Sequence, residues 1–413
     1  MILVLLDFDG VIIDTKKKSY EIFSRCLYKI ESCNDIKLIK ILYQRANGLN
    51  LLSISKLLES YFKTNYLKFY SFLKKEWQST YAKLSLDNNT KNFLNLLKCL
   101  DAKIVFFSSS DKKNINLLLK SKIKNFQYIK KYFDKDKSLS EKTIKKINKI
   151  KKNCKYFINI DDSKFINNQL SKHNFKSIYF DINKNKQTLS NCFFDKIFKN
   201  KINFFLNFPN SNDYKINLLN YSISKKNKNY LHNQLKKVKN KILFNEKLCF
   251  INNLTLNKKI NVYGFNHYYS TRFLKKFPSA AVQGFMIIDN RYFLIGKRKG
   301  SITEKNKYEF LPAGGLQNFS YKSLFVQLKK ECFEETGLKI NNKNIKILAL
   351  NMDFKENILD FIFKIEIKNL QHINKKLKIS EEHSKFLLIK KNFFKKNINT
   401  FTNSSKKVIT NYI

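Results

Sequence analysis

Short runs of apolar residues in the first half of the chain each end directly in polar residues. The four runs are Ile2–Leu6, Lys103–Phe107, Tyr156–Ile160 and Ser177–Phe180. Continuous apolar runs of this length favour strands that are buried on both faces of a parallel sheet. The interval 16–98 instead has apolar residues at helical spacing. The sequence therefore predicts an α/β domain with a helical insertion between its first and second strands.

Acidic and hydroxyl side chains follow these apolar runs. Asp7 and Asp9 follow the first run, a row of serines beginning at Ser108 follows the second, and Asp161 and Asp162 follow the third. In open α/β sheets, ligands bind at the carboxyl ends of the strands, so these groups are expected to converge on one edge. Clustered carboxylates repel one another by about 4 kcal/mol per pair at 4 Å and an effective dielectric constant of 20. Hard oxygen ligands without Cys or His favour Mg²⁺.

The segment from Asp7 to Thr15, DFDGVIIDT, resembles the first motif of the haloacid dehalogenase-like phosphohydrolases, in their phosphoglycolate-phosphatase-like branch. Ser108 matches the second motif, and Asp162 matches the acid of the fourth, with Asp161 where many relatives carry Gly. The third motif is a single lysine, for which Lys142 is our choice among many lysines. The resemblance covers about residues 1–200 and implies a Rossmann-like sheet with a cap at about 16–98.

This resemblance implies a role for each matched residue. Asp7 would be the nucleophile and form an aspartyl-phosphate, while Asp9 would protonate the leaving oxygen and then activate water. Ser108 would hydrogen-bond the phosphoryl group, and Lys142 together with Mg²⁺ would offset the negative charge. The implied metal site consists of four acids: Asp7, Asp9, Asp161 and Asp162.

The pattern changes in the last third of the chain. Two strand-like segments, Ala280–Ile288 and Tyr292–Gly296, flank a predicted hairpin turn at residues 289–291. A helix is predicted over Tyr321–Glu335, ended by Gly337. Three further strands are predicted at Ile345–Leu350, Leu359–Ile367 and Lys385–Ile389. Residues 201–275 are rich in Asn and Lys, and we interpret them as a linker or a small subdomain.

Glu331, Glu334 and Glu335 stand at positions i, i+3 and i+4 of the predicted helix, so they share one face. Like charges at this spacing destabilise a helix, and a bound divalent cation would remove that cost. Such a stripe is notable because the chain has only 32 Asp and Glu against 80 Lys and Arg.

The segment from Glu331 to Leu338 resembles the Nudix box, G-x5-E-x7-R-E-U-x-E-E-x-G-U, where U is a bulky apolar residue. Three positions depart from it: Lys330 replaces the Arg, Leu316 the leading Gly and Lys322 the first Glu. The resemblance covers about residues 276–413 and implies an α/β/α sandwich with a mixed sheet. It also implies that Glu331, Glu334 and Glu335 bind Mg²⁺ or Mn²⁺ and that the domain hydrolyses nucleoside diphosphates linked to another group. Glu382 is a candidate catalytic base, or an ordinary exposed loop acid.

The two resemblances together predict a bifunctional, metal-dependent phosphate hydrolase. Its expected partners are small phosphorylated metabolites and nucleoside diphosphate derivatives. One alternative is a single active phosphatase or sugar phosphomutase with a degenerate Nudix module that senses a ligand. Another is a basic RNA-binding adaptor, which would bind RNA with a steep dependence on salt.

Composition bears on partners and compartment. The formal net charge is +48, but almost all of the basic residues are Lys, whereas Arg is preferred at phosphates and guanine edges. We therefore expect no nucleic-acid partner. The seven cysteines are odd in number and form no C-x-x-C pair, which indicates a reducing compartment. No apolar run reaches about 18 residues, so no membrane span is predicted, and a cytoplasmic location is expected.

Overall fold

The structure is a computed structural model in which the chain divides into two compact units, Met1–Lys196 (unit 1) and Ile197–Ile413 (unit 2). It describes residues 1–46, 49, 51–110, 112–119, 126–133, 138–208, 215–222, 224, 225, 227, 229–231, 233, 247–256, 259–268, 271, 274, 277–299, 304–368, 377, 378 and 381–413.

Unit 1 contains a five-stranded sheet in which every pairing is parallel and the order is β3-β2-β1-β4-β5. The strands are β1 (Ile2–Leu6), β2 (Lys103–Ser108), β3 (Gln127–Lys130), β4 (Tyr156–Asp161) and β5 (Lys176–Tyr179). The central strand β1 is buried along its whole length, as a strand covered on both faces should be. Because the strands are parallel, their carboxyl ends meet at one edge. The predicted strands are confirmed, and β3 was not predicted.

Nine helices are described in unit 1 or begin in it. Five of them lie between β1 and β2, where the helical insertion was predicted: α1 (Lys16–Glu31), α2 (Ile36–Ala46), α3 (Leu51–Phe62), α4 (Tyr66–Lys83) and α5 (Asn88–Cys99). Buried residues from α1 to α4, including Ile22, Leu42, Leu58 and Phe69, form a hydrophobic core of their own. The later helices are α6 (Lys112–Leu119), α7 (Glu141–Lys151), α8 (Lys164–Lys172) and α9 (Leu189–Lys199), the last of which crosses the boundary between the units.

Unit 2 contains a mixed sheet of eleven strands. They are β6 (Phe204–Asn207), β7 (Lys215–Asn220), β8 (Lys247–Leu256), β9 (Lys259–Tyr268), β10 (Ser279–Ile288), β11 (Tyr292–Arg298), β12 (Tyr308–Phe310), β13 (Ala313–Gly315), β14 (Ile345–Asp353), β15 (Ile358–Ile367) and β16 (His383–Lys390). The long central pair β10 and β15 is parallel, while β10 pairs antiparallel with β8, β11 and β13. The α-helices of unit 2 that lie entirely within described residues are α10 (Tyr321–Thr336), α11 (Lys391–Asn397) and α12 (Asn403–Tyr412). The predicted fold class, a parallel α/β sheet followed by a mixed-sheet α/β unit, is confirmed.

The described part of segment 201–275 contributes strands to the sheet of unit 2. Strand β6 pairs with β14, β8 pairs with both β9 and β10, and β7 pairs with β9. Residues 209–214 and 234–246 of this segment lie outside the described residues. The segment is thus more than a linker where it is described, and the positions of the domain boundaries stay a prediction.

The turn between β10 and β11 shows why its sequence predicted a hairpin. Asp289 and Asn290 have φ angles of 49° and 54°, and the backbone N–H of Arg291 donates to the carbonyl of Ile288 at 3.0 Å. Two successive left-handed residues match the twist of the flanking strands, and Asn and Asp tolerate that conformation better than most residues do.

Among the described residues, no helix is both long enough and apolar enough to cross a lipid bilayer. All seven cysteines are free thiols.

Candidate functional sites

Three carboxylates meet at the carboxyl ends of β1 and β4, which are neighbours in the sheet of unit 1. Asp7, Asp161 and Asp162 each present one oxygen, and these oxygens all lie within 4.8 Å of one another. Asp7 is 6% exposed and Asp161 is fully buried. The convergence expected from the sequence is therefore present, and the cluster has a size that suits a single cation.

Lys131 lies beside two of these carboxylates and was not predicted. It directly follows β3, and its Nζ is 3.0 Å from Asp7 Oδ2 and 2.7 Å from Asp161 Oδ2. Burial on its own lowers the pKa of Lys131, but the attraction of Asp161 and Asp7 outweighs it and leaves the pKa above its ordinary value. Lys131 is therefore a buried ammonium that bridges two carboxylates.

The structure does not place Lys142 in this cluster. Lys142 lies exposed on α7, with its Nζ 5.9 Å from the ring centroid of Tyr132. Lys131 instead lies beside Asp7 and Asp161, because β3 ends at the same edge of the sheet as β1 and β4. We therefore replace Lys142 by Lys131 among the candidate residues.

Asp9 lies beside the cluster but is held by different partners. Its Oδ1 accepts hydrogen bonds from the hydroxyl of Tyr81 at 2.6 Å and from that of Thr15 at 3.0 Å. Its Oδ2 accepts a hydrogen bond from the hydroxyl of Ser110. The side chain predicted as a metal ligand thus accepts hydrogen bonds from three hydroxyls.

Ser108 is the last residue of β2 and is fully buried. Its hydroxyl oxygen accepts a hydrogen bond from the backbone N–H of Ser110 at 3.1 Å, and its carbonyl accepts one from the N–H of Lys131 at 2.9 Å. Ser108 therefore ties the loop after β2 to the lysine after β3, on the same edge of the sheet as Asp7.

The residues around the carboxylates fit a hard divalent cation. Gly10 has φ of 82°, and a Cβ atom there would overlap Asp162 Oδ2, so only glycine lets that carboxylate approach the loop. Burial raises the pKa of Asp7 well above its ordinary value; Lys131 lowers this pKa, while Asp161, Asp162 and Asp9 raise it. A cation bound among these oxygens would favour the charged form of Asp7, and Mg²⁺ is the ion that such a donor set prefers.

In unit 2, two of the three predicted glutamates face strand β13. Glu335 is 5% exposed, and its Oε2 accepts a hydrogen bond from the N–H of Ala313 at 3.1 Å. Glu331 is half-buried, and a Cβ atom on Gly314 would overlap its carboxylate. Burial raises the pKa of both glutamates, that of Glu335 strongly and with a further contribution from the charge of Glu309.

Glu334 is separated from these two residues. It is exposed, and its carboxylate lies 3.9 Å from the Nζ of Lys330 on the same helix. Within the described ranges of unit 2, no three acidic, histidine or cysteine side chains have ligand atoms within 4.8 Å of one another. The structure therefore brings Glu331 and Glu335 to the strand and leaves Glu334 at the surface of α10.

The departures from the Nudix pattern have visible structural consequences. Leu316, at the position of the leading Gly, is fully buried, and its backbone bonds to Ala280 and Cys249 at 2.9 and 2.8 Å. Lys330, at the position of the box Arg, reaches Gln317 Oε1 at 3.4 Å. The loop before α10 is thus held by strand pairing and by a lysine–amide contact.

A second buried polar cluster lies near Glu335, and its residues were not predicted as functional. Glu309 is 4% exposed; its Oε2 is 2.6 Å from a guanidinium nitrogen of Arg298, and its Oε1 is 2.9 Å from His383 Nε2. Glu382, the predicted alternative base, is exposed, and its charge contributes to the raised pKa of Glu335. Glu309 could have been singled out from the sequence as an acid in a chain that is poor in acids.

Comparison with known proteins gives structural neighbours only. No protein-family model matches the chain, and no curated protein matches it. Solved structures similar to it include a candidate beta-phosphoglucomutase from Thermotoga maritima, with 14% identity over 43% of this chain and 83% of that one, at a TM-score of 0.31. They also include a MutT protein from Methanosarcina mazei Go1, with 18% identity over 32% of this chain and 89% of that one, at a TM-score of 0.25. A third is the Nudix domain of Shewanella oneidensis NrtR in complex with ADP ribose, with 11% identity over 32% and 83% of the two chains, at a TM-score of 0.24.

Proposed function

We propose that unit 1 is a metal-dependent phosphomonoester hydrolase that works through an aspartyl-phosphate. The observation that carries this proposal is the meeting of Asp7, Asp161 and Asp162 within 4.8 Å, with the Lys131 ammonium bonded to two of them. A nucleophilic carboxylate must meet a negatively charged phosphate, so it needs positive charge beside it. A purely structural cluster would gain little from two buried carboxylates and a third that is half-buried, since burying charge costs free energy unless the charge is compensated.

Each residue has a defined part in the proposed reaction. The carboxylate of Asp7 attacks phosphorus while the bond to the leaving oxygen breaks, and the carboxyl group of Asp9 gives its proton to that oxygen. Asp9, now ionised, takes a proton from the water that attacks the phosphoenzyme, which restores both aspartates and releases inorganic phosphate. Lys131 and Ser108 would hold the phosphoryl oxygens. Asp7, Asp161 and Asp162 would hold Mg²⁺, which supplies charge neutralisation and polarises the phosphoryl group when bound.

For unit 2 we propose hydrolysis of nucleoside diphosphates linked to another group, so that the chain is bifunctional. This second activity is favoured by the burial of Glu335 against β13, because an acid is kept uncompensated in a protein interior mainly where it has a cation or a proton to handle. Glu331 would be its partner in binding Mg²⁺ or Mn²⁺. Glu334 would join them only by changing its side-chain rotamer, since it is exposed in the structure.

The test is a screen of the full chain with added Mg²⁺ or Mn²⁺ against phosphomonoesters and nucleoside diphosphate derivatives. Asp7→Asn should abolish phosphate release from monoesters and leave diphosphate cleavage intact, while Glu335→Gln should do the reverse. Asp101→Asn, at an exposed position, is the control for both reactions. Turnover of monoesters that is unchanged in Asp7→Asn would contradict the proposal for unit 1. Conversion of a sugar phosphate into its isomer would point to a phosphomutase.

A further inference from the structure

The carboxylate of Asp9 receives hydrogen bonds from three separate elements of unit 1. Thr15 immediately precedes α1, Ser110 lies in the loop after β2, and Tyr81 belongs to α4 in the helical insertion. Thr15 and Ser110 are close to the sheet edge by connectivity, but Tyr81 is 72 residues from Asp9 in the sequence. A residue of the helical insertion therefore forms a direct hydrogen bond with Asp9, the proposed proton donor.

Tyr81 is built into this position. It is 2% exposed, and its ring packs against Phe8, at 6.0 Å between centroids, and against Trp77, at 5.3 Å. Its hydroxyl lies 2.6 Å from Asp9 Oδ1 and 3.2 Å from the Oγ of Ser110. The carbonyl of Ser110 in turn accepts a hydrogen bond from the hydroxyl of Tyr128. The phenol is thus fixed by packing on its ring and by polar contacts at its tip.

We propose that Tyr81, acting with Ser110, is a positioning residue that fixes the carboxyl group of Asp9 for proton transfer to the leaving oxygen, so that the helical insertion takes part in acid catalysis. This inference rests on the function proposed for unit 1 and extends it. It assigns a role to a residue that the sequence motifs do not include.

The hydrogen bonds determine in which step Tyr81 matters. The contacts from Tyr81, Ser110 and Thr15 hold the carboxyl group of Asp9 in one orientation, so they matter in the step in which that group delivers its proton. That is the first step, in which the leaving alcohol must be protonated as the bond to phosphorus breaks. Alkyl phosphates depend on this proton because an alkoxide is a poor leaving group. p-Nitrophenyl phosphate does not, since p-nitrophenolate leaves as the anion.

The experiment compares kcat/KM for an alkyl phosphate, such as glycerol phosphate, and for p-nitrophenyl phosphate in the full chain with Mg²⁺. Tyr81→Phe removes only the hydroxyl, and loss of a hydrogen bond to a charged group should lower kcat/KM for the alkyl phosphate about ten- to a hundredfold. The value for p-nitrophenyl phosphate should stay nearly unchanged. Ser110→Ala should shift the ratio of the two values in the same direction, and it carries the test if Tyr81→Phe does not fold. Tyr70→Phe, on the same helix with its ring beside Lys74, is the matched control and should leave the ratio unchanged.

Each remaining outcome counts against the inference. If Tyr81→Phe slows both substrates equally, the hydroxyl has a structural role only, and if it slows neither, the contact has no role in catalysis. An equal shift of the ratio in Tyr70→Phe would show that the effect is not specific to the contact with Asp9. If the wild type releases no phosphate from either substrate in an Asp7-dependent way, the function proposed for unit 1 is wrong and the inference falls with it.

Discussion

Replacing Lys131 by Met tests the charge balance of the carboxylate cluster without any assumption about substrate. The substitution keeps most of the side-chain volume and removes an ammonium that lies 3.0 Å from Asp7 and 2.7 Å from Asp161. Both carboxylates are buried, and removing one partner of a buried ion pair costs about 3–5 kcal/mol because the remaining charge is uncompensated. With a urea m-value of about 2 kcal/mol per M, the unfolding midpoint of unit 1 should fall by about 2 M.

The chain offers a reporter that is specific to unit 1. Its single tryptophan, Trp77, lies on α4, so tryptophan fluorescence during urea unfolding follows unit 1 without interference from unit 2. A chelator keeps divalent cations from replacing the lost charge. The control is Lys142→Met, which removes the same charge from an exposed position and should change the free energy of unfolding by no more than about 0.5 kcal/mol.

The loss should also depend on pH. Lys131 lowers the pKa of Asp7, which burial raises above its ordinary value of 3.8, so the variant raises that pKa further. A carboxyl group with a raised pKa in the folded state destabilises the fold as pH rises from 3.8 through the folded-state value. The difference between Lys131→Met and the wild type should therefore shrink on acidification through this window. Unfolding of Lys131→Met at the wild-type urea concentration, or a difference that does not vary with pH, would refute this reasoning.

Three further predictions concern the carboxylate cluster of unit 1 and the buried Glu335 of unit 2. Mg²⁺ at a hundred times its dissociation constant should stabilise unit 1 by about 2.7 kcal/mol, and Asp162→Asn, but not Asp101→Asn, should abolish that shift in urea titrations. Gly10→Ala should destabilise unit 1 by at least about 1–2 kcal/mol and weaken Mg²⁺ binding in calorimetry, because its φ is left-handed and its Cβ would overlap Asp162. Glu335→Gln should raise the thermal stability of the metal-free protein at neutral pH, because the raised pKa of Glu335 means that the folded state disfavours its charge. The same substitution should reduce the loss of stability that occurs as pH rises above 4.5. The control Glu334→Gln should have neither effect.

The sequence predicted the elements that carry strong periodic patterns. Strand β1 was predicted at its observed bounds, since five consecutive apolar residues ending at an acid have few other solutions. Helix α10 was predicted to within one residue because Gly337 ends it in a left-handed conformation, with φ of 73°. In both cases the signal lies within one element and needs no partner from elsewhere in the chain.

The errors concern residues whose role depends on partners distant in sequence. Strand β3 has the sequence QYIK, with Ile129 as its one buried residue, so it shows no apolar run. Without β3 there was no reason to prefer Lys131 over the many other lysines. Tyr81 was missed because its contact with Asp9 arises only when α4 packs against the sheet edge. The spacing of Glu331, Glu334 and Glu335 predicted a shared face, but the position of β13 decides which of them is buried.

Both units bury acidic side chains, but neighbouring basic side chains compensate the negative charge to different extents in the two units. In unit 1, Lys131 contributes one positive charge to Asp7 and Asp161 together, and Asp162 adds a third carboxylate within 4.8 Å, so negative charge remains in excess. In unit 2, Arg298 is bonded to Glu309, and the charge of Glu309 raises the pKa of Glu335 further. Burial and the charge of Glu309 thus both disfavour the ionised form of Glu335, which a bound cation would stabilise. A fold that buries more acidic than basic side chains is stabilised most by a divalent cation. One such ion offsets the charge of two carboxylates, and it adds no side chain that must itself be buried.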